Sequence, residues 1–282
     1  MIAVIGANGY VGSAVVESLN SKGVSHAAIL HSNLDIQRAI SFVEFIEKNR
    51  VTAVINCAGW CGKTVDECEE DPFRCYQANL ELPRRLGIAC AATATALYHV
   101  SSGCYFSGGT FTERSKPNLP TGVYRKSKLE AEQTLLAQNN SQARIFRIRM
   151  PFDHRPSQRN LLDKLMGHAK LVDHLNSITS LSDFADLLVT DATMPVTRVR
   201  LPVGVYNATN PGPMRTSEIA AEIAKVTLFD KEWFTSDKEF NPTVAVQRSQ
   251  CVLATDKLAS FGYTLRPTVE ALRESLQKRF TS

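Results

Sequence analysis

Ile2-Ala3-Val4-Ile5-Gly6-Ala7-Asn8-Gly9-Tyr10-Val11-Gly12 opens the chain. Four apolar residues read as a buried strand, and the stretch Val11–Leu19 reads as a helix. Between them Gly6 permits a tight turn, Gly9 lets backbone approach a pyrophosphate, and Gly12 allows close helix packing. The helix N-terminus, with Asn8, Tyr10 and Val11 around it, then presents unpaired N–H groups to phosphate. A plain strand–helix turn would use the same residues, but the strand before and the helix after favour a dinucleotide site.

The alternation continues outward. Apolar runs at Ala27–Leu30, Ala53–Asn56, Ala96–Ser101 and Ile145–Arg149 alternate with helical stretches near Ile36–Lys48, Asn79–Ala92 and Ser127–Ala137. Strand and helix in turn predict a parallel sheet covered on both faces, an α/β doubly wound (Rossmann) fold with right-handed crossovers. After Pro151 the texture changes. Asp153-His154-Arg155-Pro156-Ser157 is loop-like, and helices are expected at Leu161–Met166, Ser182–Thr193, Thr216–Thr227 and Thr268–Phe280. Gly204–Asn207 reads as a returning strand and Asn210-Pro211-Gly212-Pro213 as a turn. The expected organisation is a cofactor-binding domain over 1–150. A smaller, mainly substrate-binding lobe follows over 151–282, with segments that return to the first sheet.

Composition bounds the rest. With 282 residues, 44% hydrophobic and 21% charged, the chain suits one large domain plus a lobe. A net charge of +4 is too small to argue for nucleic acid. The chain begins almost inside its first strand, which leaves no room for a secretory signal. No apolar run approaches the roughly 18 residues of a membrane span. Seven scattered cysteines imply reduced thiols and a cytoplasmic protein. Cys61, Cys68 and Cys75 recur every seven residues, but with no paired C-x-x-C no metal site is expected. Neither a nucleic-acid nor a membrane partner is expected; a homodimer is.

The second strand ends at Leu30-His31-Ser32-Asn33, without an acidic residue to grip an adenosine 2′-hydroxyl. Its absence removes a repulsion against a 2′-phosphate and leans toward NADPH, with NADH the alternative. Asp35 reads either as an acceptor for the adenine amino group or as a helix cap. Asn56-Cys57-Ala58-Gly59 would let backbone skirt the cofactor's ribose, or is a simple strand exit. Asn79 opens a helix and either braces this edge through its amide or caps the helix.

Tyr124-Arg125-Lys126-Ser127-Lys128 places a phenol and an ammonium one helical turn apart on one face, where the ammonium readies the phenol for proton exchange. Arg125 and Lys126 make the helix start basic, as surface charge or as a phosphate contact. Val100-Ser101-Ser102-Gly103-Cys104 ends another buried strand, and a hydroxyl there can bond the same substrate oxygen. Ser, Tyr and Lys in this order on a dinucleotide fold predict hydride exchange with a carbonyl carbon.

The combination resembles the extended, nucleotide-sugar-modifying branch of the short-chain dehydrogenase/reductases. Within it the chain is similar to the dTDP-4-dehydrorhamnose reductase group, and closer still to bifunctional UDP-4-keto-6-deoxyglucose 3,5-epimerase/4-reductases. The matching residues include Gly6–Gly12, Asn56–Gly59, Asp66-Glu67-Cys68, Asn79, Ser102–Phe106 and Tyr124–Lys128. Further on come Arg147–Pro151, Arg159-Asn160, Lys164, Asn207–Gly212 and Arg248-Ser249.

The resemblance implies Ser102 as the catalytic hydroxyl, Cys104 as an epimerase acid/base and Lys164 as its partner. If the strand stays extended through Gly103, residues 102 and 104 point to one side, so that thiol and hydroxyl share a pocket. A thiol needs a neighbouring cation, Lys164 or Lys128, to act as a base near neutrality. Otherwise Cys104 is a small buried hydrophobe and Lys164 a solvated helical lysine. A nucleotide-diphosphate 4-keto-6-deoxy sugar is the implied substrate, with Arg149, Asn160 and Arg248 as anchors, the arginines suiting diphosphate through their planar fork. For Arg248 a plain surface arginine is the alternative. Two rival functions are a reductase without epimerisation and a non-catalytic NADP-binding regulatory subunit. A 4,6-dehydratase fits less well, because Gly103-Cys104 supplies no carboxylate beside the hydroxyl.

Overall fold

The computed structural model describes residues 1–29, 39–194 and 200–280. The chain divides into two compact units. Met1–Ser102, Pro120–Arg147 and Ala185–Tyr206 make the first; Gly103–Leu119, Ile148–Phe184 and Asn207–Ser282 make the second.

A six-stranded sheet organises the first unit. Its strands are β1 (Ile2–Ile5), β2 (His26–Ile29), β3 (Ala53–Asn56), β4 (Ala96–Ser102), β5 (Ala143–Ile148) and β6 (Gly204–Asn207), in the order β6-β5-β4-β3-β1-β2. β1 pairs in parallel with β2 and β3, and β3 with β4. All four residues of β1 and of β3 are buried, which is why these strands read as unbroken apolar runs rather than as alternating ones. From β1 the chain goes to β2 on one side and then to β3 on the other. The carboxyl ends of β1 and β3 therefore flank the switch point at which such sheets bind ligands.

Helices α1 (Tyr10–Ser21), α2 (Ala39–Lys48), α3 (Leu82–Ala92) and α4 (Val123–Ala137) belong to this unit. Phe42 and Ile46 of α2, Leu86 of α3 and Leu135 of α4 share one core with Ile5, Val54, Leu97 and Ile145 of the sheet. Each such side chain contributes about 1.5–3 kcal/mol by leaving water. Truncating one, as in Leu86→Ala, costs about 2–5 kcal/mol. Ahead of α3 the helix widens into a π-turn over Gln77–Glu81. Pro83 accounts for it: proline has no N–H for the Asn79 carbonyl, and its ring would press on that carbonyl in a regular α-turn.

In the second unit, helix α5 (Leu161–Gly167) and the helices Thr216–Ala224 and Thr268–Phe280 surround Phe152, Leu162, Ile219, Leu272 and Leu276. Gly103–Leu119, which sequence reading leaves within the first 150 residues, packs here for a visible reason. Its short strand Gly109–Phe111 pairs in parallel with Cys251–Leu253, and Phe106 stacks on Phe111 with ring centroids 4.6 Å apart. The turn at Asn210-Pro211-Gly212 places Gly212 at a φ of +89°, while the Asn210 side-chain carbonyl accepts from the Ser180 N–H at 2.7 Å. Among the described residues no helix is long and apolar enough to cross a membrane.

Candidate active site

Steric crowding makes the glycine turn what it is. Gly6 has a φ of +74°, and a Cβ on it would lie 2.8 Å from the Ala58 nitrogen. A Cβ on Gly12 would lie 2.1 Å from the Gly6 carbonyl oxygen, so α1 presses directly on the turn. Gly9 donates its N–H to that same oxygen at 2.9 Å and stands in extended backbone as the N-cap of α1. No acidic side chain occupies the first turn of α1, and Asn8 is exposed beside it. A bare, glycine-walled helix N-terminus at the switch point fits a dinucleotide's pyrophosphate. Asp35 and Leu30-His31-Ser32-Asn33 lie outside the described residues.

Across the switch point β3 ends at Asn56, whose side chain is fully buried. Asn56 Oδ1 accepts from the Ala58 N–H at 3.1 Å, and its Nδ2 meets His99 Nδ1 at 3.1 Å. The amide orientation fixed by Ala58 makes His99 Nδ1 the acceptor, so the imidazole is neutral with its proton on Nε2. Burial, reinforced by the Lys128 charge, holds His99 well below the ordinary imidazole range. Burial also pushes the Cys57 thiol up to about 12 against the pull of Lys128, so Cys57 is an inert wall. Asn79 lies inside the π-turn rather than at a helix start, and its amide grips Trp60 twice: Oδ1 accepts from Trp60 N at 2.9 Å and Nδ2 donates to Trp60 O at 2.7 Å. It thus braces the loop that carries Ala58 and Gly59. A Cβ on Gly59 would come within 3.3 Å of Lys128 Nζ, so the small residues expected along this edge let the lysine close on it.

Lys128 is buried, and its Nζ donates to the Val100 carbonyl of β4 at 3.1 Å. Tyr124, one turn earlier on α4, is half-buried. At the next turn stands Glu132, which sequence reading missed although the Tyr124, Lys128, Glu132 spacing marks one helical stripe. Its buried carboxylate accepts from Ser101 Oγ at 2.5 Å and from Arg147 Nη2 at 2.7 Å. Ser101 is therefore committed to the scaffold, while Ser102 stands half-buried at the end of β4. Arg125 is buried and folds back onto the Thr121 carbonyl at 3.1 Å, whereas Lys126 is exposed. The basic start of α4 is thus part structure and part surface.

The second unit corrects several expectations. β4 ends at Ser102, and the Phe106 N–H bonds the Gly103 carbonyl at 3.4 Å, so Gly103–Phe106 is a turn. The extended backbone on which residues 102 and 104 would share a side is not there. A Cβ on Gly103 would come within 2.6 Å of a terminal methyl of Leu253, which would have to shift. The guanidinium of Arg149 is already engaged by the scaffold: it is buried and bonds Asn176 Oδ1, Ser249 Oγ at 2.8 Å and Ser249 O at 2.6 Å. Burial lowers its pKa, and the thiols of Cys251 and Cys104 lie in its field. Asn160 is likewise engaged by the scaffold. Its amide caps α5, accepting from the Leu162 N–H at 3.0 Å and donating to the Asp153 carbonyl at 2.6 Å. Lys164 is exposed on α5. With Arg248 and Lys231 it surrounds His168, whose pKa is lowered by burial and then by these three charges. Lys164 and Arg248 thus belong to one basic cluster. Cys104 is half-buried, and none of the seven cysteines, all among the described residues, is in a disulfide.

A parallel sheet with a glycine turn at its switch point, and Ser102, Tyr124 and Lys128 at the end of β4 and the start of α4, define a Rossmann-type dinucleotide-binding protein. The RmlD substrate binding domain family matches residues 1–280, and the chain belongs to that family. It is 26% identical over 288 residues to a bifunctional dTDP-4-dehydrorhamnose 3,5-epimerase/dTDP-4-dehydrorhamnose reductase of Arabidopsis thaliana, covering 98% of this chain and 90% of the relative. Among solved structures it superposes on the L780 UDP-rhamnose synthase of Acanthamoeba polyphaga mimivirus with a TM-score of 0.85, at 22% identity over 99% of each chain. A dTDP-4-dehydrorhamnose reductase from Bacillus anthracis, in complex with NADP, gives a TM-score of 0.80 at 20% identity, covering 99% of this chain and 96% of that one.

Proposed function

We propose that this protein is an NADPH-dependent reductase of a nucleotide-linked 4-keto-6-deoxyhexose, with 3,5-epimerisation as a second activity. The observation that carries the reductase reading is the division of labour along β4. Val100 holds Lys128, Ser101 holds Glu132, and Ser102 is assigned to a substrate oxygen. Family membership and the NADP-bound relative support the cofactor. Gly6, Gly9, Gly12 and the α1 N-terminus would hold its pyrophosphate, and Lys128 beside Gly59 its nicotinamide ribose. When bound, NADPH supplies the hydride for C4. Tyr124 donates its phenolic proton to the ketone oxygen, while Ser102 donates a hydrogen bond to it and withdraws charge from the carbonyl. Lys128 holds positive charge one turn from the phenol and so favours the tyrosinate left after transfer.

For epimerisation, Cys104 and Lys164 would exchange protons at the carbons flanking the ketone. The Arg149 guanidinium has Cys104 in its field, and a neighbouring cation is what a thiol needs to serve as a base, which supports the thiol's role. The turn at Gly103 favours the alternative, reduction alone, because it removes the shared strand face. We assign diphosphate binding to Arg248, which stands in a basic cluster, rather than to Arg149 or Asn160.

One assay separates these readings. The protein is incubated with UDP- or dTDP-4-keto-6-deoxyglucose in heavy water, first without and then with NADPH. Deuterium at C3 and C5 without cofactor turnover supports epimerisation, and Cys104→Ser should then abolish exchange. NADPH oxidation without exchange leaves the reductase alone. The absence of both exchange and NADPH oxidation would refute the enzymatic reading.

A further inference from the structure

We propose that Glu132, held by Ser101 and Arg147, is the positioning residue that sets the register of the Tyr124–Lys128 helix against the strand bearing Ser102. This rests on the reductase reading. Glu132 is only 2% exposed and Arg147 5%, so the pair is shielded from the solvent screening that makes most ion pairs weak. Arg147 Nε lies 3.1 Å from Glu132 Oε2 and its Nη2 2.7 Å from the same oxygen, while Ser101 Oγ lies 2.5 Å from Oε1. The carboxylate is thus gripped from β4 and from β5 together. A carboxylate held by a guanidinium and a hydroxyl has a defined position along and around the helix axis, whereas apolar contacts allow sliding.

The geometry has a direct consequence for the reacting groups. Tyr124, Lys128 and Glu132 follow at intervals of one turn on α4, and Val100, Ser101 and Ser102 are consecutive on β4. Two cross-links join these stripes: Lys128 Nζ to the Val100 carbonyl at 3.1 Å, and Glu132 to Ser101. Two points fix translation and leave only rotation about the line that joins them. The placing of Tyr124 relative to Ser102 is constrained accordingly. Removing the second cross-link leaves α4 able to pivot about Lys128, and misplacing a proton donor by about an ångström can cost on the order of 100-fold in rate.

The decisive variant is Glu132→Met/Arg147→Met, which removes both charges while roughly keeping volume. Buried ion pairs replaced in this way often retain or gain stability. Its melting temperature, kcat for ketone reduction and calorimetric Kd for NADPH are compared with the wild type and with Lys128→Met. We expect near-wild-type melting, kcat at least tenfold lower, and NADPH binding weakened in the same direction as in Lys128→Met. Values of kcat and Kd both at wild-type level would overturn the inference whatever the melting temperature, since the pair would then not position the reacting groups. Should the double variant fail to fold, Ser101→Ala decides: a threefold or greater loss of kcat at unchanged melting supports the inference, and unchanged kcat refutes it. If the wild type reduces no 4-keto sugar, the reductase reading falls. The NADPH affinities then still test the register of Lys128.

Discussion

Gly12→Ala should be among the most damaging single-methyl substitutions in this chain. The added Cβ would sit 2.1 Å from the Gly6 carbonyl oxygen, 2.8 Å from its carbon and 2.9 Å from Ala7 Cα, and all three are backbone atoms that cannot swing aside. Either α1 lifts from the turn or the turn itself deforms. Overpacking of this kind costs about 1–3 kcal/mol or somewhat more, and the all-backbone contact puts Gly12 at about 3 kcal/mol. At about 2–4 °C per kcal/mol for a chain of this size, the midpoint should fall by about 6–12 °C. Gly6→Ala meets Ala58 N at 2.8 Å and must also hold a φ of +74°, which adds about 1–2 kcal/mol for a residue with a Cβ. Gly9→Ala is different. Its φ of −77° is ordinary and its closest neighbour is the Gly6 oxygen at 3.1 Å, so stability should change by less than about 1 kcal/mol. Its Cβ would instead stand beside the helix N-terminus where phosphate is proposed to bind. Thermal unfolding by circular dichroism and NADPH calorimetry on the three variants test the order. A Gly12→Ala protein melting within a degree of wild type, or a Gly9→Ala protein melting lower than Gly12→Ala, would refute the reasoning.

Three further outcomes are expected. Ser102→Ala should lower kcat by about 100-fold through loss of one donor to the reacting oxygen, with NADPH affinity unchanged; equal losses of kcat and of NADPH affinity would count against its role. His99 should make stability pH-dependent. Its folded pKa lies well below 6.5, so the unfolded chain binds a proton below that pH which the folded chain refuses. Stability should therefore fall by up to about 1.4 kcal/mol per pH unit below 6.5, and urea titrations of His99→Gln should show a shallower slope. Arg149→Lys should lower the melting midpoint by several degrees with or without nucleotide sugar, because lysine cannot span Asn176 and Ser249 together. A change confined to substrate affinity would restore Arg149 as an anchor.

The sheet was legible because its determinants are local. β1 and β3 occupy the residues their apolar runs mark, and β4 runs one residue beyond its run. Helix positions suffered more. The expected helix from Asn79 begins as a π-turn, since Pro83 acts on a carbonyl one turn back, a relation that hydrophobic periodicity does not encode. The expected shared face of Ser102 and Cys104 failed at Gly103, where β4 has ended and the Phe106 N–H turns back to the Gly103 carbonyl, a bond that apolar patterning does not encode. Residue types in the site could be read from spacing, but the partners that hold them could not.

That difference separates the side chains the scaffold already holds from those proposed to act. Chemistry in a polar site depends on what the scaffold has already claimed. Ser101 and Ser102 are the same residue type at adjacent positions, yet one is bonded to a buried carboxylate that also holds Arg147. Arg149 and Arg248 offer the same fork, yet the guanidinium of Arg149 is wrapped by Asn176 and Ser249, whereas Arg248 donates to the nearby Val246 carbonyl at 3.0 Å and lies with Lys164 and Lys231 in the field at His168. Asn160 is consumed by a helix cap. For Ser101 and Arg149 the partners lie far away in sequence, whereas those of Asn160 lie within seven residues. Buried polar groups must be satisfied before they can act, so the partner list, more than the motif, selects the residues that do the chemistry.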